Sequence, residues 1–92
     1  RYIAVEPYKD FIKYIKAAAA SAPFQVEIVD KTWQEVRDVL LTQNYDCIIA
    51  WDVGMYLDLR KVHGTESFRE ALIREIAEWI RHCKVLLLSF YP

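Results

Sequence analysis

Apolar runs of strand length alternate along this chain with stretches that carry helix-start signals, and this alternation restricts its fold more than any other feature. YIAV (2–5) is halted by Glu6-Pro7, and proline opens a helix readily because a first turn does not use its missing N–H. The helix expected next sets Phe11, Ile12, Ile15, Ala18 and Ala19 on one face, and Ser21-Ala22-Pro23 ends it. FQVEIV (24–29) alternates apolar and polar residues, the period of a strand with one wetter face. Thr32-Trp33-Gln34-Glu35 has the pattern of a capping box, in which a hydroxyl and a carboxylate satisfy amides at a helix start. Trp33, Val36 and Leu40 share one side of that helix, and Asn44 ends it. CIIAW (47–51) is apolar without alternation, as expected of a strand covered on both faces. Beyond Asp52 the pattern turns irregular, and GMYLDLRKVHG holds a short helix with basic residues in its last turn and Gly64 as its C-cap. Ser67-Phe68-Arg69-Glu70 is a second capping box. The helix it opens is expected to bury Phe68, Leu72, Ile76 and Trp79 or Ile80, with Glu70–Arg74 and Arg74–Glu78 pairing outside. VLLLSF (85–90) closes the series as a fourth strand.

Strand and helix in alternation imply an α/β domain spanning residues 1–92, with a parallel sheet and helices on both faces. The alternating strand, 24–29, belongs at an edge, while 2–5 and 47–51 belong in the centre. The order expected is second, first, third, fourth: a three-layer, flavodoxin-like winding, 2-1-3-4. Such sheets bind ligands beyond the carboxyl ends of their strands, where the winding reverses, and the residues there are Glu6 and Asp52.

Composition excludes several classes of function. A formal net charge of −1, with basic residues scattered among acids, gives no electrostatic reason to expect nucleic acid or an anionic membrane surface. No apolar run approaches the roughly 20 residues that span a bilayer, and no signal peptide is visible. The two cysteines, Cys47 in an apolar run and Cys83 at a helix end, form neither a CxxC nor a disulfide framework. They are expected to be reduced and mostly buried, which favours a cytoplasmic protein.

Two carboxylates at neighbouring strand ends, Glu6 and Asp52, can hold a magnesium ion, which takes oxygen ligands and keeps several waters. One of them can instead accept a phosphoryl group. The competing reading is structural: Glu6 caps the first helix and Asp52 turns the loop after its strand, because acids suit helix N-termini. His63 beside Gly64 is a candidate general base but more simply decorates a helix C-terminus, and His82 falls on the polar helix face. Ser89 lacks a GxSxG elbow, there is no glycine-rich phosphate loop, and the six tyrosines suit core cover better than base stacking.

The succession YIAVEPYKDFIKYI, FQVEIVDKTWQEVRDVLLTQNYDCIIAWDVGM and VLLLSFYP resembles the receiver domain of bacterial response regulators. That resemblance implies a signalling module in the phosphorelay and transcription-regulation class, not an enzyme. It also implies magnesium at Glu6 and Asp52, phosphorylation of Asp52, and phosphate contact by Ser89. Met55, three residues after Asp52, matches the same pattern. The chain departs from it at Pro7, where a second acid belongs, and in lacking a fifth strand with its lysine and a last helix, so a degenerate or truncated receiver is expected. The same residues carry a weaker resemblance to the sensory domain of propionate-catabolism-type activators, through Pro7-Tyr8, which implies small-molecule sensing. Glu6, Asp52 and Asp58 also resemble the carboxylates of the Toprim fold, which implies metal-dependent work on nucleic acid.

The fourth strand adds an expectation about partners. Residues 85–90 are apolar with no lysine or glutamate, yet the proposed order leaves them at an edge. A protein partner or a second copy is expected to lie along that edge.

Overall fold

The computed structural model describes residues 1–53 and 57–90, with the side chains of 52, 53 and 90 outside the described set. The chain divides into two compact units, Arg1–Val36 and Arg37–Pro92. Each contributes one parallel strand pair, so the described strands form two two-stranded sheets in a mixed α/β architecture. The pairs found, second with first and third with fourth, are neighbours in the expected order.

In the first unit β1 (Tyr2–Val5) pairs with β2 (Val26–Val29) in continuous register from Tyr2↔Val26 to Val5↔Val29. The helix between them, α1 (Lys9–Ala20), begins two residues beyond Pro7. Its N-cap, Tyr8, is extended and offers no side-chain cap, while Glu6 Oε1 accepts from the Tyr8 amide at 3.2 Å. The expected apolar face of α1 is only partly used. Ile12 is buried and Ile15 and Ala19 are half-buried, but Phe11 is 58% exposed and Ala18 is exposed. Two strands some 4.8 Å apart cover only a narrow strip of a helix, and the apolar stripe of α1 is wider than that strip.

The helix α2 (Trp33–Leu40) opens with the capping box as expected. The Thr32 amide donates to Glu35 Oε1 at 3.1 Å, and the Glu35 amide donates to Thr32 Oγ1 at 3.3 Å. Hydrogen bonds from the Thr32 backbone amide and then its hydroxyl hold the Glu35 carboxyl below its ordinary pKa.

The second unit contains β3 (Tyr45–Val53), α3 (Arg60–His63), α4 (Phe68–Arg81) and β4 (Cys83–Phe90). Strands β3 and β4 run parallel from Tyr45↔Cys83 to Ala50↔Leu88, where the register shifts and resumes at Val53↔Phe90. Helix α4 packs on β4 and on α3. Its buried stripe is Ala71, Glu75 and Trp79, joined in the core by Leu59, which is 1% exposed. Truncating a leucine so enclosed costs about 2–5 kcal/mol. Phe68, Leu72 and Ile76 are half-buried, but Ile80 is exposed. Of the expected outer pairs, Glu70–Arg74 forms at 2.6 Å, whereas Glu78 is met by Arg81 at 3.3 Å in place of Arg74.

The third and fourth strands are not covered on both faces. Ile48, Ala50, Leu86 and Leu88 are half-buried, while their neighbours Ile49, Trp51, Val85 and Leu87 are 50–77% exposed. That is one face of the pair bare and the other packed, despite sequences that are apolar throughout. Cys47 shares the bare face and is exposed, correcting the expectation of a buried thiol; Cys83 is half-buried, and both are free. Among the described residues no helix is long and apolar enough to cross a membrane.

Two local signals end α3 and start α4. Gly64 adopts the left-handed conformation at φ 64°, which lets its amide reach Arg60 O. Ser67 Oγ accepts from the Glu70 amide at 3.0 Å, but the return arm of the box is rerouted, because the Thr65 hydroxyl accepts from the Ser67 amide and donates to the Glu70 carboxylate. A Gly64→Ala substitution meets no atom within 4 Å, so its cost is conformational alone. It should lower unfolding free energy by about 1 kcal/mol, and Ser67→Ala should cost about as much, both measured by urea unfolding.

Candidate functional site

The strand ends come first, because the chemistry was expected there. Glu6 closes β1 with its amide bonded to Val29 O, and its carboxylate engages the Tyr8 amide, as a helix-entry residue would. Asp52 lies in β3 at the register shift between Ala50 and Val53. Over that interval β3 advances one residue more than β4, so Trp51 and Asp52 together stand opposite Ser89. A bulge of this kind bends the strand and re-aims the residues at its end. The carboxylate of Asp52 and residues 54–56, including Met55, fall outside the described set, and Ser89 is half-buried. Among the described residues no group of three or more His, Cys, Asp or Glu side chains gathers as a metal cage.

Asp58 is committed elsewhere. It accepts from the Arg60 guanidinium through both oxygens, at 2.7–3.2 Å, and from the Arg60 amide at 3.1 Å. The Arg60 side chain, and then its amide, pull the Asp58 carboxyl down to about 2.

A second constellation lies in the Arg37–Pro92 unit and was not foreseen. Glu75 is wholly buried on the α4 stripe between Ala71 and Trp79, a position the helical period gives to an apolar residue. Arg37, at the middle of α2, meets it bidentately, Nε to Oε2 at 2.8 Å and Nη2 to Oε1 at 2.7 Å. His63, the last residue of α3, places Nε2 2.9 Å from Oε1, and a carboxylate acceptor there selects the tautomer with the proton on Nε2. The Glu75 carboxylate, through its hydrogen bonds first, raises the pKa of Arg37 above its ordinary value, against the effect of burial. His63 is also fixed through its backbone, whose carbonyl accepts from Arg74 Nη1 at 3.1 Å. So three helices are tied at one carboxylate. The expected role of His63, at a helix C-terminus, describes its position and misses its bond.

Beside this network opens a cleft of about 390 Å³ lined by Arg37, Asp38 and Leu41, by Val62 and His63, and by Glu78 and His82. His82 is half-buried at the C-cap of α4 rather than on a solvated face, and its Nδ1 is buried with no hydrogen-bond partner. The first unit carries a smaller groove of about 180 Å³, lined by apolar residues such as Ile15 and Phe24. No family model, no curated protein and no solved structure matches this chain.

Two outcomes follow from these geometries. Removing Arg37 alone strands a buried charge, so Arg37→Met should cost about 3–5 kcal/mol, while Arg37→Met with Glu75→Leu should recover most or all of it; chemical unfolding of the two variants beside the unaltered chain checks this. The Asp58 carboxyl is depressed in the folded chain, so its contribution to stability is complete above the ordinary value of 3.8 and is lost as pH falls toward about 2. Carbon-detected titration should find the Asp58 midpoint near 2, below the ordinary 3.8, and Asp58→Asn should flatten that part of the acid-stability curve.

Proposed function

We propose that this chain is a receiver-like regulatory module that works through a protein partner, with Asp52 as phospho-acceptor and Ser89 as the phosphate-sensing hydroxyl. The observation that supports the reading is the bulge at the carboxyl end of the parallel β3–β4 pair, which sets Trp51 and Asp52 against Ser89. In a parallel α/β sheet that end is where ligands bind. The register brings the backbone of Asp52 opposite that of Ser89 on the neighbouring strand.

In this reading the two strand pairs join as one flavodoxin-like sheet ordered 2-1-3-4, which brings Glu6 toward Asp52. Each unit supplies a reason for such a join, since α1 leaves Phe11 and Tyr14 exposed and the β3–β4 pair leaves Ile49, Trp51 and Leu87 exposed. Magnesium takes one or two carboxylates and keeps its waters, so Glu6, with one oxygen not engaged by Tyr8, and Asp52 suffice to hold it. The ion would screen charge on an incoming phosphoryl group; Asp52 supplies the attacking oxygen and Ser89 the hydrogen bond to the new phosphate. The exposed apolar residues Val85 and Leu87 of β4 favour a partner chain or a second copy alongside.

The small-molecule-sensing reading keeps one supporting observation, the polar cleft beside His63 and His82. The Toprim-like reading loses support, because the Asp58 carboxylate is held by Arg60.

Beryllium trifluoride with magnesium mimics a phosphorylated aspartate without a kinase. Added to the chain, it should shift the amide signals of Asp52 and Ser89, and Asp52→Asn should abolish the shift while leaving the fold intact. A spectrum that does not respond, or an Asn variant that responds equally, would remove Asp52 as the acceptor.

A further inference from the structure

We propose that the cleft framed by the end of α2, by α3 and by the last turn of α4 binds an organic cation, an alkylguanidinium or alkylammonium group. This is independent of the receiver reading and rests on an imbalance between donors and acceptors in the cleft. Arg37 is the permanent cation among the lining side chains, and three of its five N–H donors, one on each nitrogen, are already given to carboxylates. Its Nε and Nη2 go to Glu75, and its Nη1 goes to Asp38 at 2.7 Å.

The acceptors are not exhausted. Asp38, whose side chain is 88% exposed, uses only Oδ1 on Arg37, and Glu78 uses only Oε1 on Arg81. His63 gives its Nε2 proton to Glu75, so its other ring nitrogen keeps a lone pair. His82 also lines the cleft, and its Nδ1 is buried with no hydrogen-bond partner among the described residues.

Charge points the same way. With neutral imidazoles, the carboxylates of Asp38, Glu75 and Glu78 outnumber the guanidinium groups of Arg37 and Arg81 by three to two. An anion would meet surplus carboxylates and a guanidinium already paired with two of them. A cation with several N–H donors meets acceptors on both sides, while Leu41 and Val62 provide apolar walls for a methylene stem. The group can come from a free amine or guanidine, or from a lysine or arginine side chain of a partner.

The test follows backbone and imidazole NMR signals of the full chain at neutral pH as n-butylguanidinium chloride is added. Sodium butyrate is the control, and a capped Gly-Arg-Gly peptide is the second arm. Saturable shifts confined to the surroundings of Asp38, His63, Glu78 and His82, with no such response to butyrate, are expected. The double variant Asp38→Asn/Glu78→Gln, made at two partly or largely exposed side chains, should weaken binding about tenfold or more. Val62→Lys, which puts a permanent cation in the cleft, should abolish it. Tighter binding of the peptide identifies a partner's side chain as the source; equal or tighter binding of the free cation identifies a small molecule. Shifts that do not saturate, an equal response to butyrate, or unchanged affinity in the folded variants would overturn the proposal.

Discussion

A carboxylate with no solvent contact sets the terms for the Arg37–Pro92 unit. Glu75 sits where α4 turns toward the core, and an ionised group there is tolerated only when its lone pairs are filled by charged or strongly polar donors. The donors come from two other helices, Arg37 of α2 and His63 of α3. The guanidinium fork matches the carboxylate plane at both oxygens, so it fixes the angle of α2 as well as its distance. A four-residue helix such as α3 has almost no stability of its own. It persists because Leu59 is buried at its start, Gly64 turns its end, and His63 is bonded through both ring and carbonyl. Well-packed apolar residues in place of both Glu75 and Arg37 would stabilise the core as well or better. What the ion network adds is a geometric tie, since the fork must meet both oxygens of the carboxylate.

The sheets impose the complementary constraint. A pair of strands buries one face against the helix that connects them and leaves the other open unless something else covers it. In the β3–β4 pair the covered face carries Ile48, Ala50, Leu86 and Leu88, and the open face carries Cys47, Ile49, Trp51, Val85 and Leu87. The open face ends at the bulge beside Asp52, so the apolar surface and the candidate phospho-acceptor lie at one end of the same strands. A change at the strand end would be felt directly by whatever lies on that face.

The acidic residues of this chain illustrate how position decides chemistry. Glu35 and Asp58 are close to helix starts, and each is drawn into bonds with a residue two or three places away, Thr32 and Arg60. Such short-range pairs form readily and leave little reactivity behind. Glu6 uses one oxygen in this way at the Tyr8 amide and keeps the other. Glu75 differs because its partners come from distant parts of the chain.

Much of the local structure was legible in the sequence. Both capping boxes, the left-handed Gly64, the strand positions and the parallel pairing of each strand couple depend on residues within a few places of one another, or on hydrophobic period. The reading was weakest wherever an apolar residue had to be assigned an inside or an outside. Phe11, Ile49 and Leu87 look like core and are exposed, because burial depends on how many layers cover a face, and period does not count layers. Glu75 is the converse case, since its spacing from Ala71 and Trp79 placed it on the inner stripe although its charge suggested the outer one. Its resolution needed Arg37, thirty-eight residues away, and His63, twelve away, to converge on the same two oxygens. Only the packing of α2, α3 and α4 brings those groups together, because a buried charge is made tolerable by partners in space, and sequence separation says nothing about where they will be.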